Sequence, residues 1–165
     1  MHSLEPRIHA ALLEHGVTFN VHDHADMASC RPVESPHEVA AHLGYELRRI
    51  ARTVIVRRRG GDQSYFALVV GADEKIDFPR VTTHLGFGVK VAPLEDMETL
   101  TGFPRFGVSP IGIPAGVSVI LCNCLLEQPT VLVGGGATGV EVELPPTALI
   151  EMTAATAAHI GHRLE

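Results

Sequence analysis

The 165 residues predict a mixed α/β domain of the α+β kind: a curved, mostly antiparallel, barrel-like sheet of about seven strands, surrounded by five or six helices. Three observations predict it. Seven short apolar stretches are separated by turn residues. The helical segments between them do not alternate with strands in a regular βαβ order. Hydrophobic residues make up 45% of the chain against 19% charged, which is enough for a sizeable core. Trp is absent and aromatic residues are 5%, so aliphatic and small side chains must do the packing. The length fits one domain over residues 1–165.

The elements follow in order. Ser3 is placed to cap a first helix, with Glu5 and Pro6 in its opening turn, an apolar stripe at Ile8, Ala11 and Leu12, and Gly16 as its stop. Residues 17–22 (VTFNVH) alternate as a strand, and 25–34 read as a loop carrying Cys30 and Pro32. Ser35-Pro36-His37-Glu38 is a capping box with Pro at the first helical position, and this helix stops at Gly44. Residues 52–58 (RTVIVRR) and 64–70 (SYFALVV) are strands joined by a Gly60-Gly61-Asp62 hairpin turn. Their centres are apolar on both faces, so the sheet is expected to be covered on both sides.

Asp77 caps the next helix, which runs through Val81 and Leu85 to Gly86. A short strand at 89–91 and an acidic helix at 93–100 follow. Residues 102–116 hold Gly102, Pro104, Gly107, Pro110, Gly112, Pro114 and Gly116, a density that forbids regular structure. Strands are expected at 117–123, 130–133 and 140–144, with the run Gly134-Gly135-Gly136 between the last two. Pro145-Pro146 opens one or two terminal helices.

No apolar run approaches the ~20 residues of a membrane span, and the N-terminus lacks a basic-then-apolar leader. An odd number of Cys (Cys30, Cys122, Cys124) in a chain this long predicts reduced thiols and a cytoplasmic protein. The formal charge is −6, yet six of the 13 basic residues fall between positions 48 and 59: Arg48, Arg49, Arg52, Arg57, Arg58 and Arg59. Such a cluster reads either as a solvated strand edge or as a small patch for a phosphorylated ligand or a nucleic-acid end.

Of the ten His, His22 and His24 flank Asp23 and read as surface residues. Cys122 and Cys124 share one face of an apolar strand, where Cys packs as a small hydrophobe. With no CxxC, HExxH or Cys/His quartet, no metal and no cofactor is expected. A metal or redox protein built on those two thiols is the weakest alternative. Ser109, in Gly107-Val108-Ser109-Pro110, lacks the strand-to-helix setting of a nucleophile elbow. The run at 134–136 is not followed by Gly-Lys-Ser/Thr, but its bare backbone allows amides to approach a ligand. Three features could converge on one pocket: Arg52, the 107–112 loop and the 134–136 turn.

Several stretches carry a family resemblance: RTVIV at 52–56, SYFALVV at 64–70, DFPRVTTHLG at 77–86, TGFPRFGVSPIG at 101–112 and VLVGGGATGVEVEL at 131–144. With them the chain resembles the YbaK/ProX-type editing domains, free-standing aminoacyl-tRNA deacylases related to the insertion domain of bacterial prolyl-tRNA synthetases. The resemblance covers nearly the whole chain and implies hydrolysis of a wrongly attached amino acid from the 3′ end of a tRNA. It implies that Arg52, Gly107 and Ser109 take part in catalysis and that Pro110, Gly112, Gly134, Gly135 and Gly136 bind the substrate. It also implies a tRNA 3′ acceptor end as partner, leaves room for a synthetase, and calls for no metal or membrane.

The chain departs from the family at Arg52, where the studied members carry a Lys. Arg keeps its charge at every relevant pH and holds anions in a fork, but it does not shuttle protons. A module with the same pocket that binds without turnover is therefore the second reading. Lys75 is the only other Lys near this region of the sequence.

Overall fold

The computed structural model describes residues 3–23 and 35–164. The expected loop at 25–34, with Cys30, lies outside the described residues, as does His24. Helix α1 spans Pro6–Glu14. Its cap is Glu5 rather than Ser3: the Glu5 carboxylate accepts from the peptide N–H groups of Arg7 and Ile8. The helix starts at Pro6, two residues later than a Ser3 cap requires, so the residue at the capping position is Glu5. Strand β1 is Asn20–Asp23, shorter than expected at its start.

Helix α2 (Pro36–Leu43) starts at the expected Pro36 with Ser35 as its cap, but Ser35 Oγ accepts from the His37 N–H instead of the Glu38 N–H of a capping box; Gly44 closes the helix at φ 76°. Helix α3 (Phe78–Leu85) has the expected Asp77 cap and Gly86 stop. Helix α4 is Leu94–Thr101, and α5 is Pro146–Thr153.

The central sheet has five strands in the order β5-β2-β3-β6-β9: Val89–Val91, Ala51–Arg58, Tyr65–Gly71, Ser118–Cys122 and Thr156–Ala158. β2 and β3 form the expected hairpin, in register from Ala51↔Gly71 to Arg57↔Tyr65. β6 joins β3 in parallel, and β9 joins β6 in parallel. A second sheet, β1-β8-β7, is antiparallel, with β7 at Val131–Gly134 and β8 at Val140–Leu144. A third pairs β4 (Glu74–Ile76) with β10 (Gly161–Arg163).

The fold is thus mixed α/β with mostly antiparallel sheets, but among the described residues the sheets do not close into a barrel, and ten strands replace the expected seven. The three additional strands, β4, β9 and β10, have three residues each. They are too short to show a period, and tertiary pairing alone defines them. One terminal helix forms, and the chain then returns as β9 and β10.

Residues 67–70 of β3 are fully buried, as a sheet covered on both faces requires. One face packs Ala51, Ile55, Ala67 and Val69 into a core with Ile8, Leu12 and Phe103. The other packs Val56, Leu68 and Val70 with Val81, Ile120 and Ile160. Burying each large side chain contributes ~1.5–3 kcal/mol. No helix among the described residues is long and apolar enough to cross a membrane.

Candidate active site at the open edge of strand β2

Strand β2 is fully paired on the β3 side but only partly on the other. At its start a parallel bridge joins Ile50 to Leu132 of the second sheet. At its end β5 pairs with Val56–Arg58 and the Ala92 N–H donates to the Ile55 carbonyl at 2.9 Å. Between these attachments a cavity of about 610 Å³ opens along the edge of β2. That is the scale of a small-molecule site. Arg52, Thr53 and Val54 of β2 line it. Val108 and Gly134 stand in its wall, Met97 and Leu94 of α4 give it an apolar side, and Arg105 and Phe106 belong to its rim, both exposed.

Thr53 is the residue that sequence reasoning missed. In an antiparallel strand the N–H and C=O of one residue point to the same side, and neighbours alternate. Ile55 sends its carbonyl to Ala92, away from β3, so Thr53 turns its peptide groups to the open edge as well. Its Oγ1 is buried without a hydrogen-bond partner. A buried unpaired hydroxyl costs about 1–3 kcal/mol, and this one belongs to a residue of the cavity lining. Its only signal in the sequence is its place beside Arg52.

Arg52 lies on the opposite face from Thr53, with Val54 and Val56, and reaches the lining because the edge is open. Its Nη2 donates to the Glu74 carbonyl at 2.9 Å, while Nε is buried without a partner. Desolvation lowers its pKa from the ordinary Arg value.

The two glycine-bearing bends meet. The Gly136 N–H donates to the Gly107 carbonyl at 2.9 Å. A Cβ on Gly107 would stand 2.8 Å from the Ala137 backbone, and one on Gly134 would overlap the Val108 carbonyl oxygen. Absence of side chains is what lets the bends touch. Gly135 donates to the Val140 carbonyl at 2.8 Å and accepts from Glu5 at 3.0 Å, which anchors the turn to β8 and α1.

Of the residues named from the sequence, Arg52 and Gly134 line the cavity directly. Ser109 is fully buried, and its Oγ accepts from the Ile111 N–H at 3.1 Å, which shapes the loop behind the wall. Pro110 is buried beside it. Gly112, at φ 81°, accepts from Arg7 of α1. Gly107, Gly135 and Gly136 form the joint between the bends.

The arginine cluster disperses. Arg48 pairs with Glu46, Arg57 with Asp96 and Arg58 with Asp62, while Arg58 also covers the Phe87 ring. Arg49 is turned inward onto Glu143 and Thr130. Arg48 and Arg49 lie in a 3₁₀ turn before β2, and along β2 alternation sends Arg57 and Arg58 to opposite faces, so the cluster is not one continuous surface. The cation at the cavity rim is instead Arg105, stacked 4.9 Å from the Phe106 ring centre.

His22 is half-buried, and its Nε2 is 2.8 Å from Glu143 Oε1. Tyr45 (2.5 Å) and Thr130 (2.6 Å) also donate to Glu143. Burial pushes the Glu143 pKa up, but the hydrogen bonds from Thr130, Tyr45 and His22 outweigh it and hold it at about 2.

The cavity lining holds no His or Cys among the described residues. The lining instead brings together Thr53 and the half-buried Arg52 of β2, Glu141 of β8, and the backbone of Val108 and Gly134.

Comparison with known proteins gives the family and the fold. A curated relative from Enterococcus faecalis, named "Putative Cys-tRNA(Pro)/Cys-tRNA(Cys) deacylase EbsC", is 28% identical over 120 residues, 72% of each chain. The solved structure of a hypothetical protein, APE2540, superposes with a TM-score of 0.84 at 26% identity, covering 94% of this chain and 99% of that one. The fold also matches a solved structure described as "a putative trans-editing enzyme for prolyl tRNA synthetase", with a TM-score of 0.83, 24% identity and 97% and 99% coverage. The model of the aminoacyl-tRNA editing domain matches residues 30–152, and the chain belongs to that family.

Proposed function

We propose that the protein is an aminoacyl-tRNA deacylase acting in trans, and that the cavity along β2 holds the aminoacyl ester of a mischarged tRNA. The observation that carries this is the unpaired Thr53 edge facing the joined glycine turns across one cavity. Water attacks the ester carbonyl carbon. The developing oxyanion is met by the Thr53 N–H and hydroxyl and by backbone donors of the Val108 and Gly134 walls. The carbon–oxygen bond to the ribose then breaks, the proton lost by the attacking water passes through solvent to the ribose oxygen, and the free amino acid leaves with the tRNA hydroxyl restored.

In this reading Arg52 holds charge. It takes no proton, which its chemistry would not favour. Phe106 and Arg105 at the rim receive the terminal base and its phosphate. A second site of this kind removes amino acids that a synthetase pocket cannot exclude by size alone.

The test is incubation of the purified protein with tRNA(Pro) charged with Ala, Ser or Cys, and with a wider panel of misacylated tRNAs. Release of amino acid above the buffer rate on at least one of them is expected; release at the buffer rate across the panel would refute catalysis. The second reading, binding without turnover, is favoured by one contact: the Arg52 guanidinium is already engaged by the Glu74 carbonyl. Binding of a misacylated tRNA with no release would select it.

A further inference from the structure

Three donor groups that do not line the cavity converge near one end of the central sheet. Glu74 comes from β4, Cys122 is the last residue of β6, and Cys124 lies in the 3₁₀ turn at Asn123–Glu127. The Glu74 Oε2 accepts from Cys124 Sγ at 2.6 Å and from Cys122 Sγ at 3.3 Å, and the two sulfurs are 2.9 Å apart. The sequence pairs the two thiols, but the third donor comes from 48 residues earlier, so a strand pattern read alone makes them simple core residues.

Their surroundings are unusual for a core. Glu74 is 9% exposed and Cys122 fully buried. Among the described residues no Lys, Arg or His lies within ion-pair distance of the Glu74 carboxylate. A buried carboxylate is costly unless a cation or strong donors match it, and thiols are weak donors. The Arg52 guanidinium donates to the Glu74 backbone carbonyl rather than to its carboxylate, and Arg52 Nε has no partner.

We infer that Glu74, Cys122 and Cys124 form a three-ligand site for a thiophilic divalent cation of the zinc class. Two thiolates and a carboxylate oxygen are the donor set such an ion prefers, with water as the fourth ligand on the side of the partly exposed Cys124. Binding displaces both thiol protons, which leave to solvent. The filled site then carries one net negative charge, close to the Arg52 guanidinium. Zn–S bonds of about 2.3 Å in a tetrahedron put the sulfurs about 3.7 Å apart, so they swing outward by less than about 1 Å. The ion would clip β4 to β6 and to the 3₁₀ turn. This inference does not depend on the deacylase reading.

The test titrates the reduced, metal-free full chain with Co²⁺ and then Zn²⁺. Expected are thiolate-to-cobalt charge-transfer bands in the near ultraviolet, tetrahedral bands in the red, saturation at one equivalent, release of about two protons per ion, and displacement by Zn²⁺. Glu74→Gln should weaken binding at least tenfold, and Cys124→Ser should lower the charge-transfer intensity by about half, with circular dichroism unchanged. Absence of these bands in the reduced chain overturns the site. So does isolation of the pair as a disulfide whose reduction restores no binding. Bands unchanged in Cys122→Ser and Cys124→Ser would place the ion elsewhere and overturn it equally.

Discussion

The Gly136 peptide N–H donates to the Gly107 carbonyl at 2.9 Å, and this bond joins two turns 29 residues apart into one wall of the cavity. The wall is all backbone at its tightest point, because a Cβ on Gly134 would overlap the Val108 carbonyl oxygen. Gly134→Ala should therefore push the turns apart and cost about 3 kcal/mol. Thermal unfolding checks this, with Gly116→Ala as the control: a Cβ there meets nothing within 4 Å, and Tm should hold. Equal Tm for the two variants would show that the close approach carries no stability.

Thr53→Val separates function from stability. The substitution keeps the shape of the side chain and removes a buried hydroxyl that has no partner. Stability should stay the same or rise by about 1 kcal/mol. Deacylation should fall about a hundredfold, the scale of a lost oxyanion donor. Denaturant unfolding and single-turnover deacylation read the two effects separately.

Arg52→Met tests the buried charge. If the guanidinium holds the substrate, the loss should be at least tenfold and fall on substrate affinity, while Arg52→Lys should keep most of the activity. A Lys variant as inactive as the Met variant would show that the forked geometry matters and charge alone does not suffice.

Glu143 links stability to acid. Its carboxyl sits at about 2 in the folded chain against 4.5 for an ordinary Glu, so it is depressed. A depressed carboxylate contributes stability that is fully present above about 4.5 and is lost as pH falls toward about 2. The expected contribution is on the order of 3 kcal/mol. Urea unfolding between these pH values should show the loss in the parent chain and a much flatter profile in Glu143→Gln.

The helix ends were legible in the sequence because their causes are local. Ser35, Asp77, Gly44 and Gly86 each act within a few residues, and the structure uses all four. Glu5 takes the place of Ser3 because the helix starts at Pro6, whose fixed φ suits the first helical position. The long apolar strands were legible for the same reason, whereas β4, β9 and β10 were not: three residues hold no period, and their partners are far away in the chain. The site was legible only in its parts. Arg52 and the two glycine runs were visible in the sequence, but no local pattern shows that Gly107 touches Gly136. The free edge at Thr53 exists because β5 stops pairing at Val56, a property of the sheet that the strand's own residues do not encode.

In the proposed reaction the ester sits against the open edge of β2. The most direct measurement is amide chemical-shift mapping with a non-hydrolysable 3′-aminoacylamino-adenosine added to the labelled full chain. The account predicts saturable shifts centred on Thr53, Phe106, Val108 and Gly134, and their loss in Thr53→Val or Gly134→Ala. Saturable shifts confined to other surfaces, with these four amides unmoved, would contradict it.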